Sequence, residues 1–369
     1  MNILTLNIQQ ITIQLSISEI MAQKNNTSCL IGSLLVISLL IFQPIQAQYN
    51  FTELDNKLAS VKKELGGDFT VLLYKDGKII YSKSMGEFNP KTQAEIASSS
   101  KWLTAALIMV LVDEGKISLD DRVSKYLPIF SKYSKGYITI RHCLSHLTGI
   151  ESEPIRLVNL MKRARYNSLE EEVNDFASKK EIAANPGLEF KYSNIGLNIA
   201  GRIAEIVTRK GFEQAMQEKI LRPLQMRNTN FSSLNAVNPS GGAVSTANDY
   251  MNFLSMLLNK GMFNGKKILS EKSIAEMHTV QTTLPMIKYA PKVAVGYNYG
   301  LGEWIQETDE NGMATVVSSP GLFGTWPLID RCRGYASIVF LKAFLNEEKK
   351  EVYGEIKKTI DQQIIANCK

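Results

Sequence analysis

The sequence predicts a two-part molecule: an α/β lobe assembled from both ends of the chain, with an all-α lobe inserted between them. Three observations lead there. Strand-like runs at 69–74 and 78–84 flank Asp76-Gly77, a dipeptide that favours a tight hairpin turn. From 103 to 290 the patterns are mainly helical with long loops. After Val293 strands return, with a turn at Glu310-Asn311-Gly312, a strand over 335–342 and a closing helix over 347–366. Strands at both ends can share one sheet only if the ends meet in space. That assigns 48–102 and 291–369 to the α/β lobe and 103–290 to the helical lobe.

Taken in order, the first element is a leader over 1–47. Met21-Ala-Gln-Lys24 precedes an apolar stretch at 29–42 and then Pro44-Ile-Gln-Ala47, the pattern of a secretory signal peptide cleaved after Ala47. Residues 1–20 lack that pattern, and translation is expected to begin at Met21. The apolar stretch is shorter than the ~20 residues a membrane span needs. A periplasmic or secreted protein is therefore expected, with no stable membrane span after leader removal. A helix follows at 51–65, then the hairpin. The polar run 91–100 next gives way to 102–112, apolar nearly all round and stopped by Gly115. Such a helix belongs in the centre of the molecule.

With 369 residues and 44% hydrophobic content the chain can bury a large core. The formal charge of +6 is mild, and no dense basic run is interleaved with aromatics, so nucleic-acid binding has no support. A small-molecule or peptide substrate fits better. Beyond the leader the cysteines are Cys143, Cys332 and Cys368. Cys332 precedes the last strand and Cys368 follows the returning helix, so the two can meet. Closing that loop would add roughly 3–4 kcal/mol; two free thiols are the other reading. Cys143 reads as a small buried residue. His142 and His146 stand four apart, but the glutamate of a zinc-protease pair is missing. No metal or other cofactor is expected.

The chemistry is concentrated at Ser98-Ser-Ser-Lys101. A serine three residues before a lysine at a helix start puts both side chains on one face, about 5–6 Å apart at Cβ. A serine hydroxyl attacks well only when a neighbour takes its proton and something stabilises the charge that forms. To act near pH 7 the lysine would need its pKa lowered by about 3 units from ~10.4, roughly 4 kcal/mol of bias, which burial can supply. S-x-x-K alone is weak evidence. Support comes from Tyr192-Ser193-Asn194, which opens a helix-like run at 195–207 and offers a phenol and an amide. In isolation the same tripeptide reads as a packed tyrosine with Asn194 as a helix cap.

Order and surroundings then match a family. Ile96-Ala-Ser-Ser-Ser-Lys-Trp-Leu-Thr-Ala-Ala106, Glu114-Gly-Lys-Ile-Ser-Leu-Asp-Asp-Arg-Val-Ser-Lys-Tyr-Leu-Pro128 and Ile138-Thr-Ile-Arg-His-Cys-Leu-Ser-His-Leu-Thr-Gly149 resemble the serine β-lactamase and penicillin-binding superfamily. The class C β-lactamase type, with its esterase and D-peptidase relatives, is the nearest. The resemblance covers about 69–345 and implies an antiparallel sheet flanked by helices, with the site in the cleft between the lobes. It implies that Ser98 is acylated, that Lys101 and Tyr192 share the proton shuttling, and that Asn194 orients substrate. Either Lys101 or Tyr192 could be the acylation base.

The third family element, K-[ST]-G or H-x-G, aligns with Ser319-Pro320-Gly321, which lacks a cation. Gly321 still lets substrate approach the backbone, and the resemblance implies an oxyanion hole from the N–H groups of Ser98 and Leu322. Ser319 cannot hold a substrate carboxylate as lysine would, so ester, amide or D-amino-acid peptide substrates without an obligatory carboxylate are expected. A peptide derived from the cell wall is one such partner. The leading expectation is an exported serine hydrolase working through an acyl-enzyme. Its rival is a catalytically weak sensor or scaffold that binds penicillin or peptidoglycan fragments. Phe323, Trp326, Tyr297, Tyr299 and Trp304 are expected to serve mainly as core.

Overall fold

The computed structural model describes residues 49–154, 166–343 and 349–368. The expected leader lies outside the described residues. From Tyr49 onward the chain forms one compact unit. No helix among the described residues is long and apolar enough to cross a membrane.

A seven-stranded antiparallel sheet organises this unit. Its strands are β1 (Phe69–Lys75), β2 (Lys78–Met85), β3 (Asn298–Tyr299), β4 (Trp304–Thr308), β5 (Ala314–Ser318), β6 (Trp326–Asp330) and β7 (Tyr335–Leu341), in the spatial order β2-β1-β7-β6-β5-β4-β3. The first hairpin thus joins the last through β1 and β7, in register from Phe69 opposite Leu341 to Lys75 opposite Tyr335. The expected union of the two chain ends is this pairing. The hairpin turn runs through Asp76 and Gly77 at φ 50° and 81°, the left-handed region that Asp-Gly tolerates.

Alternation along the strands gives the sheet two apolar faces. Leu72, Ile338 and Phe340 join a core with α2 (Ser100–Asp113) and α6 (Ala247–Leu258). Val71, Leu73, Val339 and Leu341 join a second core with α1 (Thr52–Ser60) and α8 (Lys350–Asp361). On α8 the residues Val352, Tyr353, Ile356 and Ile360 recur at three- and four-residue steps, so one stripe of that helix is buried. Between α2 and α6 lie α3 (Ile140–Leu144), α4 (Leu169–Lys179) and α5 (Ile195–Thr208), and α7 (Glu271–Met277) follows α6. Two helices are shorter than their sequence patterns. The one expected at 51–65 ends at Ser60 and continues in turns, and the one expected at 347–366 is regular only over α8.

Central placement of α2 follows from its composition: every residue from Ser100 to Leu111 is buried. It ends where Gly115 takes φ 68°, and it runs unbroken across the expected 102/103 boundary. At the far end of the sheet Cys332 and Cys368 are joined in a disulfide with Cα atoms 4.8 Å apart. Cys143 is free and buried, and burial pushes its thiol pKa up.

Candidate active site

Ser98 does not sit in the first turn of α2, where the sequence pattern places it. It occupies a short 3₁₀ turn, Ala97–Ser99, that leads into the helix. Ala97 takes φ 43° there, a left-handed conformation that costs a residue with a side chain. The turn leaves Ser98 partly exposed, while Lys101, one turn on, is fully buried. Around this kink the backbone is clamped: Ser100 Oγ donates to Ala97 O at 2.6 Å, and Tyr250 Oη donates to Ser99 O at 2.8 Å.

The lysine amine is held among neighbouring oxygens. It lies 3.3 Å from Ser98 Oγ, 3.1 Å from Asn194 Oδ1 and 2.8 Å from Ser240 O. Its Nζ also stands 4.9 Å from the centre of the Tyr192 ring. Residues expected to converge from two distant segments therefore do so. Asn194 precedes α5 as its cap residue, yet its side chain makes no capping bond and turns to Lys101 instead. Of the bland reading of Tyr192-Ser-Asn194, the packed tyrosine and the cap position hold, while the Asn194 side chain is engaged elsewhere.

Tyr192 is held in an aromatic cage. His146, Tyr299 and Trp304 have ring centres 4.6, 6.1 and 5.2 Å from its own, and its N–H donates to Tyr289 O. Ser193 N–H donates to His146 Nδ1 at 3.4 Å, which leaves Nε2 to donate to Tyr299 Oη at 3.1 Å. Burial holds the His146 imidazole well below 6.5, so it stands neutral behind the tyrosine. His142 is elsewhere occupied: its Nδ1 accepts from Thr139 N–H in a capping box at the start of α3.

The Ser319–Gly321 segment crosses directly over the nucleophile turn. Ser99 Oγ donates to Ser319 O at 2.7 Å, and a Cβ on Gly321 would fall 2.3 Å from Ile96 O, so only glycine fits. Among the described residues, neither the Ser98 N–H nor the Leu322 N–H meets a protein acceptor. Ser319 is buried and its hydroxyl donates to Gly302 O at 3.3 Å. Of the aromatics nearby, Tyr299, Trp304 and Trp326 are buried in the core, whereas Phe323 and Tyr297 are half-buried.

Sequence reasoning missed Ser240, and it read Tyr299 as core without its place beside Tyr192. Ser240 acts through its carbonyl, and a carbonyl has no residue signature. The turn-rich Asn238-Pro-Ser-Gly-Gly242 was the available signal.

Known proteins resemble this chain in sequence and fold. Protein flp of Staphylococcus aureus (strain MW2) is 32% identical over 177 residues, 45% of this chain and 35% of flp, so the chain spans about a third of that relative's length. Beta-lactamase-like protein 2 of Dictyostelium discoideum is 30% identical over 51% of this chain and 42% of its own length. The crystal structure of a β-lactamase candidate from Bacteroides dorei DSM 17855 superposes with a TM-score of 0.76 at 30% identity, covering 85% of this chain and 99% of that one. A penicillin-binding protein homologue from Pyrococcus abyssi shares the fold, with a TM-score of 0.69 at 21% identity over 85% of this chain and 79% of that one. The family profile described as Beta-lactamase matches residues 63–358, and the chain accordingly belongs to the Beta-lactamase family, within the β-lactamase/transpeptidase-like superfamily.

Proposed function

We propose that this protein is an exported serine hydrolase that works through a covalent acyl-enzyme at Ser98, on an ester, amide or D-amino-acid peptide substrate. The observation that carries the reading is the buried Lys101 amine, 3.3 Å from Ser98 Oγ and anchored on Asn194 and Ser240. An amine that gives its N–H groups to Asn194 Oδ1 and Ser240 O has a lone pair left for the serine proton. Ser98 Oγ attacks the substrate carbonyl carbon while its proton passes to Lys101, with Tyr192 as the neighbouring relay. The oxyanion forms against the unpaired N–H groups of Ser98 and Leu322, each contributing about 2.7–4 kcal/mol to the barrier reduction. The proton then goes to the leaving group as the carbon–heteroatom bond breaks. Water, losing its proton to the same amine and phenol, hydrolyses the ester and returns Ser98 to its hydroxyl form.

Substrate choice follows from Ser319. Its hydroxyl is neutral and engaged with Gly302 O, so it offers a substrate carboxylate no cation. A charge-assisted contact contributes about 1.5–3 kcal/mol, and its absence lowers preference for acidic substrates roughly tenfold to more than a hundredfold. Esters and amides lacking that carboxylate, including peptides derived from the cell wall, fit best. Export is supported by the leader pattern and by the Cys332–Cys368 disulfide, a bond that persists in oxidising compartments.

The test is covalent labelling with a fluorophosphonate and with a tagged penicillin, alongside turnover of a short nitrophenyl ester. Labelling and turnover are expected in the wild type, and both are expected to vanish in Ser98→Ala. Labelling that survives this substitution removes Ser98 as nucleophile. Labelling without turnover favours the second reading, a penicillin- or peptidoglycan-binding sensor, which the neutral Ser319 motivates.

A further inference from the structure

The carbonyl that receives the Lys101 amine is itself held by a buried polar relay. Ser240 lies in the turn Asn238-Pro-Ser-Gly-Gly242, and its N–H donates to Asn198 Oδ1 at 3.0 Å. The Asn198 amide in turn donates through Nδ2 to Glu172 Oε2 at 3.0 Å. Asn198, on the first turn of α5, is 0% exposed, and Glu172, on the first turn of α4, is 3% exposed. Burying an amide and a carboxylate is costly, and their retention calls for a reason. The rest of the turn needs no such help. Thr104 Oγ1 donates to Pro239 O at 2.6 Å, and Ala243 N–H donates to Ser100 Oγ at 3.0 Å, so α2 already fixes both flanks. The Ser240 carbonyl lies in the next peptide plane, whose Gly241 N–H donates to Asn238 O at 3.2 Å, and the relay holds the N–H on the other side of the same residue, so both peptide planes that meet at Ser240 are anchored.

We propose that Asn198, oriented by Glu172, is a positioning residue for Lys101: by anchoring the Ser240 N–H it fixes the backbone at the residue whose carbonyl holds the lysine amine toward Ser98. The proposal rests on the reading of Lys101 as the group that takes the serine proton. Both bonds are directional. With Nδ2 donating to Glu172, the amide must present Oδ1 to Ser240, so the carboxylate selects the amide orientation that grips the turn. Both residues are buried. Their effect reaches the chemistry only through the lysine.

The experiment compares acylation kinetics of Asn198→Leu, Asn198→Asp and the double variant Asn198→Asp/Glu172→Gln, each with and without Lys101→Ala, and thermal melts for all. Asn198→Leu should lower the acylation rate about 10- to 100-fold, the effect of losing a buried hydrogen bond that fixes a reacting group, with KM within about twofold of wild type. Asn198→Asp sets two carboxylates face to face and should lose a similar factor. Adding Glu172→Gln restores a donor–acceptor pair and should recover at least about tenfold of it, a rescue that keeps the test valid where the single variants melt early. In the Lys101→Ala background Asn198→Leu should cost less than about twofold more, because residues acting through one group are not additive.

Losses that multiply with that of Lys101→Ala, or no gain from Glu172→Gln, would overturn the positioning role while leaving the lysine's role standing. Wild-type acylation in Lys101→Ala alone would remove the proton-accepting role of Lys101 and the relay with it.

Discussion

Two lysines, Lys101 fully buried and Lys357 half-buried, are held in opposite ways. Near the far end of the sheet, Lys357 lies 2.7 Å from Asp361 Oδ2, 3.2 Å from Asp330 Oδ2 and 3.5 Å from Glu307 Oε1. Burial works against its charge, but Asp361, Asp330 and Glu307 together hold its pKa above the ordinary lysine value. Lys101 is more deeply buried, and the oxygens it meets on Ser98, Asn194 and Ser240 are all neutral. A carboxylate prefers the ammonium to the amine, whereas a neutral acceptor serves both forms. The first arrangement fixes a charge for structure; the second suits the proton transfer of the proposed function.

The sharpest way to break this contrast is to remove each lysine in turn. Lys101→Ala should cut acylation by about 10²–10⁴-fold, the usual contribution of a positioned acid–base group, and leave the melt little changed. Lys357→Met should do the reverse: it strips a partner from the fully buried Asp330 and should cost about 3 kcal/mol in denaturant unfolding with kcat intact. A Lys101→Ala variant that loses stability instead of rate would erase the distinction.

A smaller effect concerns the missing cation. Ser319→Lys should raise kcat/KM for carboxylate-bearing substrates over matched neutral esters by roughly tenfold to a hundredfold. Parallel assays on nitrocefin, a D-amino-acid amide and a nitrophenyl ester would show the shift, and an unchanged ratio would displace Ser319 from the substrate-facing element.

The smallest concerns His146, whose imidazole is held well below 6.5 by burial. A depressed folded pKa means the unfolded chain takes up the proton first as pH falls. Its contribution to stability is therefore present above about 6.5 and is lost below it, by about 1.4 kcal/mol for each pH unit. Urea melts between pH 7 and 5 should show that slope, and His146→Asn should flatten it.

How much of this was legible in the primary structure depends on which atoms do the work. Ser98, Lys101, Tyr192 and Asn194 are recognisable because the proposed chemistry rests on their side chains. The hairpin at Asp76-Gly77 and the apolar α2 were legible for the same reason, since residue type dictates backbone preference and burial. The kink at Ala97 escaped notice because nothing in alanine signals a left-handed backbone; tertiary clamps from Ser100 and Tyr250 impose it. Ser240 was hidden because a main-chain oxygen is common to every residue. Asn198 and Glu172 read as ordinary members of amphipathic helices, and only their burial against each other singles them out.

The pairing of β1 with β7 has a temporal consequence. In a nascent chain leaving the ribosome Val71 has no central partner until Val339 has been made, and a contact closing so long a loop forms late. Until then the serine and its lysine exist without the glycine segment that must cross over them. If the proposed function holds, the chain stays chemically silent throughout its own synthesis, and reactivity arrives only with the closing strands.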